Sequence, residues 1–410
     1  MLLGGTMAKI IMHIDVNNAF LSWLAVLRLK EGYKIDIRNT YAVIGGDEKA
    51  RSGIVLAKSM PAKRKGVVTA ETIYSARKKC PGLKVYPPNY NWYKKMSDSM
   101  FKLISNYTPD IEKMSIDECF IDYTPVKHLY GDEIKFAYKI KNEIKEKLGF
   151  TVNVGVANNK LCAKMASDLS KPDKVHTIFR NEVKEKMWPL PINELFGIGK
   201  STSVKLNNLG IKTIGNLANY DENELYKHFK NQAFDMINAA NGIGSDFVNS
   251  EKEDPKGIGN ETTLRNNIYH REELYPYLLA LSENVTLRLR KQEKYAYVIV
   301  VTLKDKYFKR TSHQKKLVNA TNLTEEVFET TKEILKEMDV SNGIRLIGVR
   351  LDNLVDNSVH QVSLFENTKA RDDNKALEKT VDKLKEKYGF KVIDKASLSS
   401  IKVGKKYLNK

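Results

Sequence analysis

The N-terminal part of the chain alternates between short apolar runs and segments whose apolar residues recur at helical spacing. One nearly continuous apolar run, KIIMHID at residues 9–15, precedes the pattern of a helix. A second helical pattern covers residues 132–148, and a strand pattern at residues 150–156 leads into helical spacing over residues 159–167. This succession predicts an α/β core with Asp15 at the end of a central strand.

The C-terminal part carries its own succession of elements. Residues 189–217 have the pattern of two helices around an FGIG turn, and residues 250–259 form a charged boundary rich in Gly and Pro. The pattern after this boundary predicts, in order, helix 271–291, strand 295–303, loop 304–316, helix 325–338, strand 344–351 and a tail helix at residues 375–388. We therefore expect a small α+β domain after the boundary.

Two adjacent carboxylates, Asp117 and Glu118, stand between strand-like runs in the segment MSIDECFID. Neighbouring side chains of a regular strand point to opposite faces, so acids that act together belong at a bend, here a hairpin turn. Repulsion raises the pKa of one acid unless a cation neutralises the pair, and a hard divalent ion suits oxygen ligands. The alternative is a solvated acidic turn. Asp15 also has an alternative, as a buried acid that caps the next helix.

The formal net charge of +18, from 68 Lys and Arg against 50 Asp and Glu in 410 residues, favours a polyanionic partner. That partner is either nucleic acid or an anionic membrane surface. No apolar run approaches the length of a membrane span, and the N-terminal segment MLLGGTMAKIIMHID lacks a basic flank and meets Asp15 early, so we expect a cytoplasmic protein. Three scattered cysteines without a CxxC pattern argue against disulfides and a zinc site.

Basic residues concentrate in two places. Lys63 and Arg64 crowd a predicted helix start after Pro61, where cations and free backbone N–H groups suit phosphate. Residues 284–316 hold 10 Lys and Arg against 2 Asp and Glu, which gives a local charge of +8 suited to a phosphate backbone. In both places the alternative is a solvated basic surface.

The FGIG turn indicates a helix-hairpin-helix. Its glycines, Gly197 and Gly199, let the backbone approach a DNA phosphate closely, and Lys200 follows at the predicted helix start. The alternative is a plain turn between two helices.

Five motifs occur in the order in which the Y-family translesion DNA polymerases carry them, and the chain resembles that family from about residue 7 to residue 353. The motifs are HIDVNNAF, MSIDECFID, VGVANNKLCAKMASDLSKPD, ELFGIGKSTSVKLNNLGI and GIGNETTL. The likeness is greatest to the bacterial branch of DNA polymerase IV and UmuC. The resemblance implies a DNA-directed DNA polymerase that copies damaged templates with low fidelity, a mutator activity in DNA repair and damage tolerance.

The resemblance also implies an α+β multidomain fold arranged as the right hand of a polymerase. Its implied parts are the catalytic palm (residues 7–18 and 84–175), the fingers (19–83), the thumb with the helix-hairpin-helix (176–248), an α/β little finger (249–356) and a tail (357–410).

For the catalytic site, the resemblance implies that Asp15, Asp117 and Glu118, with the backbone carbonyl of Val16, hold two Mg²⁺ ions. These ions activate the primer 3′-OH and carry the triphosphate of the incoming dNTP. Phe20 falls at the steric-gate position, where an aromatic ring beneath the sugar leaves no room for a 2′-OH. The alternative for Phe20 is an ordinary core residue of a helix.

The triphosphate contacts implied by the resemblance are Lys171, Lys63 and Arg64. Lys63 stands where many relatives have Arg, and Met60 stands where many have Tyr, so a bidentate phosphate contact and a hydroxyl are missing. Asn17 replaces an acid of many relatives, at a position outside the implied metal ligands.

The implied DNA contacts are Gly197, Gly199, Lys200, Lys309 and Arg310. The segment QVSLF resembles the clamp-binding motif of bacterial replication and repair proteins, through Gln361, Leu364 and Phe365. The expected partners are therefore primer-template DNA, dNTP and the bacterial sliding clamp. The protein is expected to be a cytoplasmic, nucleoid-associated monomer without membrane contact.

Two other functions are compatible with parts of the pattern. A catalytically silent DNA-binding scaffold would use the basic C-terminal domain and the clamp motif, but the presence of all three acids disfavours it. A nucleotidyl cyclase would use the same acid chemistry, but it needs no duplex and leaves the FGIG turn and the clamp motif unexplained.

Overall fold

The computed structural model describes residues 8–47, 53–251, 254–356, 368–389 and 392–393, with the backbone alone for residues 368–370. The chain divides into two compact units, one of Met1–Gly46 and Ile54–Lys252 and the other of Asp47–Gly53 and Glu253–Lys410. Within the described ranges, no helix combines the length and apolar content that crossing a membrane requires.

The strands are β1 (Ile11–Val16), β2 (Ala42–Gly45), β3 (Val55–Lys58), β4 (Lys84–Tyr86), β5 (Ile111–Lys113), β6 (Glu118–Asp122), β7 (Val152–Ala157), β8 (Val175–Ile178), β9 (Gly257–Ile268), β10 (Tyr295–Asp305), β11 (Arg310–Thr321) and β12 (Ile344–Val355). The α-helices are α1 (Ala19–Lys30), α2 (Met60–Arg64), α3 (Ile73–Lys79), α4 (Tyr90–Ser105), α5 (Lys127–Tyr130), α6 (Glu133–Leu148), α7 (Lys160–Asp168), α8 (Val183–Lys186), α9 (Lys200–Asn208), α10 (Ile214–Ala218), α11 (Glu222–Phe229), α12 (Gln232–Ala240), α13 (Tyr275–Arg290), α14 (Thr324–Lys336) and α15 (Thr368–Tyr388).

Strand β1 is the centre of a five-stranded sheet with the order β5-β6-β1-β7-β8. It is buried on both faces, which explains its nearly continuous apolar sequence. Successive side chains alternate between the faces, so Met12 and Ile14 enter the core formed with α1, α4 and α6, whereas Ile11 joins the core that contains α7. By the same alternation, Asp15 lies on the face that α7 covers.

Helix α7 packs unusually close to this sheet because of one glycine in β7. A Cβ added at Gly155 would lie 2.0 Å from the carbonyl oxygen of Ala163, so only glycine permits this approach. Asn159 caps the helix by accepting a hydrogen bond from the N–H of Cys162, at 2.9 Å. The side chains of α7 are thereby brought over the carboxyl end of β1.

The rest of the first unit consists of two smaller assemblies. Strands β3, β2 and β4 form a three-stranded sheet that shares a core with α2 and α3. Helices α9, α10, α11 and α12 pack together in the same core as α7.

The second unit is an antiparallel sheet with the order β11-β10-β12-β9, and α13 and α14 share its core. Helix α15 is fixed to this unit by Arg290, whose guanidinium contacts Glu378 and lies 2.6 Å from Asp382. Asn374 and Arg371 of α15 also bond to the side chains of Glu325 and Glu326 at the start of α14.

The predicted helices at residues 132–148, 159–167 and 375–388 are confirmed as α6, α7 and part of α15, and the strand at residues 150–156 is confirmed as β7. The predicted loop 304–316 is wrong, because β11 begins at Arg310. The side chains of residues 310–316 are all exposed, so this edge strand lacks apolar alternation and is held by the backbone bonds of β10. Strand β9 was not predicted, since Gly and polar residues dominate its first half.

Candidate active site

Asp15 and Glu118, which are far apart in the chain, are direct partners in the antiparallel ladder between β1 and β6. Cross-strand partners point to the same face of a sheet with Cβ atoms about 5 Å apart. The N–H of Val16 donates a hydrogen bond to the carbonyl oxygen of Asp117, at 3.0 Å. The structure therefore brings all three predicted acids to one end of the central strand.

The predicted hairpin is confirmed, with β5 and β6 paired antiparallel around residues 114–117. Asp117 lies in the turn, whereas Glu118 is already the first residue of β6. The Ser115 hydroxyl donates to Asp117 Oδ1 at 2.6 Å and accepts from the Asp117 N–H at 3.2 Å, which fixes the bend. Burial raises the pKa of Asp117, and the charges of Asp15 and Glu118 raise it further.

Glu118 is held in its ionised form by two neighbours on its own face of the sheet. Nε2 of His13 lies 3.3 Å from Glu118 Oε2, without the alignment of a full hydrogen bond, and Lys164 of α7 donates to the same oxygen at 2.8 Å. These contacts, with His13 first, lower the pKa of Glu118 to about 2. The acid is therefore ready to bind a cation at neutral pH.

His13 is a site residue that the sequence analysis missed. Its side chain is fully buried, and burial lowers the pKa of the imidazole, so the ring is neutral at pH 7. Nδ1 lies 2.8 Å from the Ser167 hydroxyl, which donates to the carbonyl oxygen of Lys164 at 2.8 Å. The sequence did contain a sign of this role. Residues two apart in a strand share a face, and His13 precedes Asp15 by two positions.

Asp15 is engaged by Lys171, whose ammonium contacts the Oδ2 of Asp15 and lies 2.8 Å from Asp168. Burial opposes the charge of Lys171, but the two carboxylates outweigh it and raise the pKa of the amine. The predicted triphosphate residue Lys171 therefore lies directly beside a predicted metal ligand.

The donor set suits a hard divalent cation. Carboxylate oxygens are the ligands that Mg²⁺ prefers, and mutual repulsion contributes to the raised pKa of Asp117, which a cation would relieve. As the side chains lie, no group of three acidic, His or Cys residues in the described ranges could hold a metal ion. Lys171 and Lys164 each engage one of the acids, Asp15 and Glu118 respectively.

The loop that carries Lys171 is anchored by buried amides. The Asn153 Nδ2 donates to the carbonyl oxygens of Ser167 and Ser170, at 2.9 and 2.6 Å. Asn17 accepts the backbone N–H of Asp173 at 2.8 Å, and the Asp173 carboxylate binds Lys141 at 2.6 Å. The polar replacement noted at position 17 is thus part of the support of this loop.

Phe20 lies in the first turn of α1 and is partly buried against the core of the first unit. Its ring stacks on Tyr93 with a centroid distance of 4.7 Å and an angle of 7°, and the edge of Tyr90 lies at 6.1 Å. This geometry is compatible with Phe20 as a steric gate and with Phe20 as an ordinary core residue, since one face of the ring packs inward.

Lys63 and Arg64, the predicted phosphate residues near Pro61, are exposed. Their predicted position at a helix start is wrong, because α2 begins at Met60, with Ser59 as its cap, and Lys63 and Arg64 occupy its last turn. Met60 is 44% exposed. Asn18 Nδ2 donates to the carbonyl oxygen of Lys58 at 2.6 Å, which ties the strand before α2 to the start of α1.

The FGIG turn differs in part from a helix-hairpin-helix with two full helices. A single 3-10 turn, Ile192–Glu194, precedes it, and α9 follows with Gly199 as its N-cap and Lys200 exposed. Gly197 has a φ of 92°, and a Cβ added at Gly197 or Gly199 would meet no atom within 4 Å. The open backbone therefore leaves room for a ligand at the start of α9.

Among the remaining predicted contacts, Lys309 and Arg310 are exposed at the β10–β11 hairpin, and Arg310 pairs with Glu261 at 2.8 Å. The predicted clamp residues Gln361, Leu364 and Phe365 lie outside the described residues.

Comparison with known families gives three matches along the chain. Residues 14–168 match the impB/mucB/samB family, residues 180–211 match the helix-hairpin-helix motif of the IMS family, and residues 255–364 match the C-terminal domain of the impB/mucB/samB family. The first match contains the acids and Lys164, and the second contains the FGIG turn.

Individual relatives cover nearly the whole chain. DNA polymerase IV of Clostridium acetobutylicum is 49% identical over 394 residues, which is 96% of this chain and 98% of that protein. DNA polymerase IV of Acetivibrio thermocellus is 35% identical over 94% of this chain and 96% of its own length, and DNA polymerase IV 1 of Bacillus subtilis is 31% identical over 95% and 93%. A solved Y-family DNA polymerase chimera, Dbh-Dpo4(243-245)-Dbh, has a TM-score of 0.75 at 27% identity, over 85% of this chain and all of that one.

Proposed function

The chain belongs to the Y family of DNA polymerases, and from that membership we propose that Asp15, Asp117 and Glu118 form its catalytic centre for transfer of a dNTP to a primer 3′-OH. It is a DNA-directed DNA polymerase of the translesion type, which acts on primer-template DNA and dNTP. Beyond this, we propose the two-metal chemistry, the roles of individual residues, the domain limits and the tether to the sliding clamp.

One observation carries the proposal, namely the register that sets Asp15 opposite Glu118 with the backbone of Asp117 bonded to Val16. Three carboxylates at the end of a central strand form a concentrated negative site in a chain of net charge +18. Holding these acids together is unfavourable in the absence of a cation, because burial raises the pKa of Asp117 and the charges of Asp15 and Glu118 raise it further.

The residues that would hold two Mg²⁺ ions are Asp15, Asp117 and Glu118, with the carbonyl oxygen of Val16. When bound, the ions lower the pKa of the primer 3′-OH and neutralise the triphosphate and the leaving pyrophosphate. The protein supplies the carboxylates in fixed positions, since Ser115 fixes the Asp117 turn and His13 and Lys164 hold Glu118 ionised.

Lys171 is the cation that we assign to the triphosphate. Its ammonium already lies between Asp15 and Asp168, and a triphosphate that approaches Asp15 meets the positive charge at once. Lys63 and Arg64 of α2 are the further phosphate contacts, as single point charges in the case of Lys63.

Phe20 is the proposed sugar discriminator. Its stacking on Tyr93 holds the ring in one orientation, which a steric gate requires, because a ring that could turn away would admit a 2′-OH.

For DNA we assign backbone contact at Gly197 and Gly199 with Lys200, and little-finger contact at Lys309 and Arg310. We assign tethering by the bacterial sliding clamp to residues 361–365, and we propose that the protein works as a cytoplasmic monomer at the nucleoid. The domain limits proposed for this right hand are those given by the resemblance.

Primer extension by purified protein tests the catalytic assignment. Asp117→Ala is expected to abolish extension of a primed template and to leave DNA affinity unchanged within about twofold, because the acid binds metal rather than DNA. Asp110→Ala, which removes a half-buried acid before the same hairpin, is the matched control and should extend normally. Extension that survives Asp117→Ala overturns the assignment, and turnover of a triphosphate without primed template would favour a cyclase.

The tether is tested separately by deleting residues 361–365. Synthesis stimulated by the clamp should fall to the basal level, and basal synthesis without the clamp should stay unchanged. Equal loss of both activities contradicts the tether.

A further inference from the structure

The tip of the β10–β11 hairpin carries two exposed aromatic rings among basic side chains, and a third ring from the end of β9 lies beside them. Tyr307 is 71% exposed, Phe308 is 63% exposed and Tyr269, which lies alongside, is 46% exposed. We refer to these three rings as the aromatic tip, and we propose that the aromatic tip binds unpaired nucleotides of single-stranded DNA by stacking with their bases. This goes beyond the proposed catalytic centre and does not depend on it.

Hydrogen bonds hold the backbone that carries the aromatic tip. Asp305 Oδ1 accepts the backbone N–H groups of both Tyr307 and Lys309, each at 2.9 Å. The N–H of Lys306 donates to the carbonyl oxygen of Gly343 at 3.0 Å, which fixes the hairpin to the start of β12. The rings are therefore presented on a fixed backbone, so that binding costs little ordering of the loop.

Phe308 stands where a different residue would suit the turn. Its φ of 66° lies in the left-handed region, which glycine or asparagine adopts most easily. A large apolar side chain gains nothing there from burial, since most of its ring is exposed. An exposed residue held in an unfavourable conformation is a candidate for function.

Cations surround the rings. The Lys306 Nζ lies 5.1 Å from the centre of the Tyr307 ring and 5.7 Å from that of Tyr269, and the Arg345 guanidinium lies 4.9 Å from the Phe308 ring. Asp305 keeps its negative charge, but residues 304–310 hold four Lys and Arg against this one acid, so the local charge of the hairpin tip is positive.

Single-stranded DNA is the partner that can bind both the exposed rings and the cations around them. Its phosphates suit the cations, and its unstacked bases offer flat faces to the rings, whereas a duplex keeps its base faces covered. The exposed strand β11 continues from the tip with Arg310, Lys315 and Lys316, of which Arg310 and Lys315 form exposed ion pairs with Glu261 and Glu333. A phosphate backbone that follows β11 would exchange these surface pairs for its own contacts and reach the aromatic tip.

The test is the affinity of the full-length protein for labelled oligonucleotides, measured by fluorescence anisotropy without Mg²⁺ or dNTP. The probes are a thymidine homopolymer, an abasic strand of equal length and a hairpin duplex. The variant is Tyr307→Ser with Phe308→Asn, since asparagine accepts the backbone conformation and the fold is preserved. Tyr388→Ser is the matched control, an aromatic residue 60% exposed with Lys387 5.2 Å from its ring, in the same unit.

We expect the double variant to bind the thymidine strand roughly tenfold more weakly, the effect of losing about one stacked base. Its affinity for the abasic strand and for the duplex should equal that of the wild type, as should all affinities of the control. Unchanged thymidine binding, or an equal loss on the abasic strand, overturns the proposal. Weakened binding of an acidic peptide with unchanged DNA binding would assign the tip to a protein partner instead and also overturn it. A catalytic failure leaves these measurements unaffected, because no reaction takes place in them.

Discussion

Asn17 donates a hydrogen bond from its Nδ2 to the Oδ1 of Asn153, at 3.1 Å, inside the first unit. Asn153 Oδ1 also accepts a hydrogen bond from the N–H of Lys174, and Asn153 Nδ2 donates hydrogen bonds to the carbonyl oxygens of Ser167 and Ser170. The orientation of the Asn153 amide is therefore fixed, and it requires a donor at position 17. This requirement explains how an amide stands where many relatives have an acid.

Asn17→Asp is therefore expected to destabilise this protein. A carboxylate would face Asn153 Oδ1 and leave two oxygens in conflict in a buried place, at a cost of about 2 kcal/mol. The free energy of unfolding, from denaturant titration, measures this. Asn17→Ala, which removes the side chain without adding charge, is the comparison and should be no less stable than Asn17→Asp. An Asn17→Asp protein as stable as the wild type would refute the role of the amide pair.

The contribution of Asp173 to the stability of the protein is expected to depend on pH. Burial opposes its ionisation, but hydrogen bonds from Lys141 and Lys145 outweigh burial and hold its pKa below the ordinary value of 3.8. A lowered acid pKa contributes stability that is present above the unfolded pKa and is lost as pH falls through the folded pKa. Asp173→Asn keeps a residue that tolerates the φ of 58° and should cost about 2 kcal/mol at pH 7.

The difference in unfolding free energy between wild type and Asp173→Asn is expected to shrink as the pH falls below about 4. Denaturant titrations at several pH values check this. A difference that stays constant down to pH 3 would show that the ion pairs with Lys141 and Lys145 do not stabilise the loop.

Phe20→Ala is expected to relax sugar discrimination by about tenfold or more, because the ring beneath the sugar is removed. The measurement is the ratio of kcat/KM for a dNTP to that for the matching ribonucleotide. Tyr93→Phe is the control, since it keeps the stacking partner of Phe20 and removes only a buried hydroxyl for which the described residues provide no hydrogen-bond partner. If Tyr93→Phe changed the ratio as much as Phe20→Ala, the ring itself would not be the gate.

Arg290→Met is expected to loosen α15 from the second unit. The Arg290 side chain is 15% exposed and binds both Glu378 and Asp382, so its loss removes the cation that these two carboxylates share, at a cost of about 3 kcal/mol. Hydrogen exchange of the α15 amides should accelerate by roughly a hundredfold. Lys291→Met is the control, because its ion pair with Glu386 spans 3.7 Å at the surface and contributes little. Equal exchange in the two variants would assign the docking of α15 to other contacts.

Elements with a regular pattern of apolar residues could be predicted from the amino-acid sequence. Buried strands such as β1 and amphipathic helices such as α6 can be recognised in the sequence, because the spacing of their apolar side chains follows the geometry of the backbone. The acids at Asp15 and in the MSIDECFID hairpin were found for the same reason, since each interrupts an apolar pattern. Strand β11 was missed because its exposed side chains carry no such repeat, and only its pairing with β10 makes it a strand.

The contacts between distant side chains could not be predicted in this way, because they depend on how the whole chain folds. His13 and Ser167 are 154 positions apart, Lys171 and Asp15 are 156 apart, and Asn17 and Asn153 are 136 apart. Their contacts follow from the register of β1 between β6 and β7 and from the close approach of α7 at Gly155. A shift of one residue in that register would turn every side chain of β1 to the opposite face. Packing of the whole core fixes the register, and no short stretch of sequence contains that information.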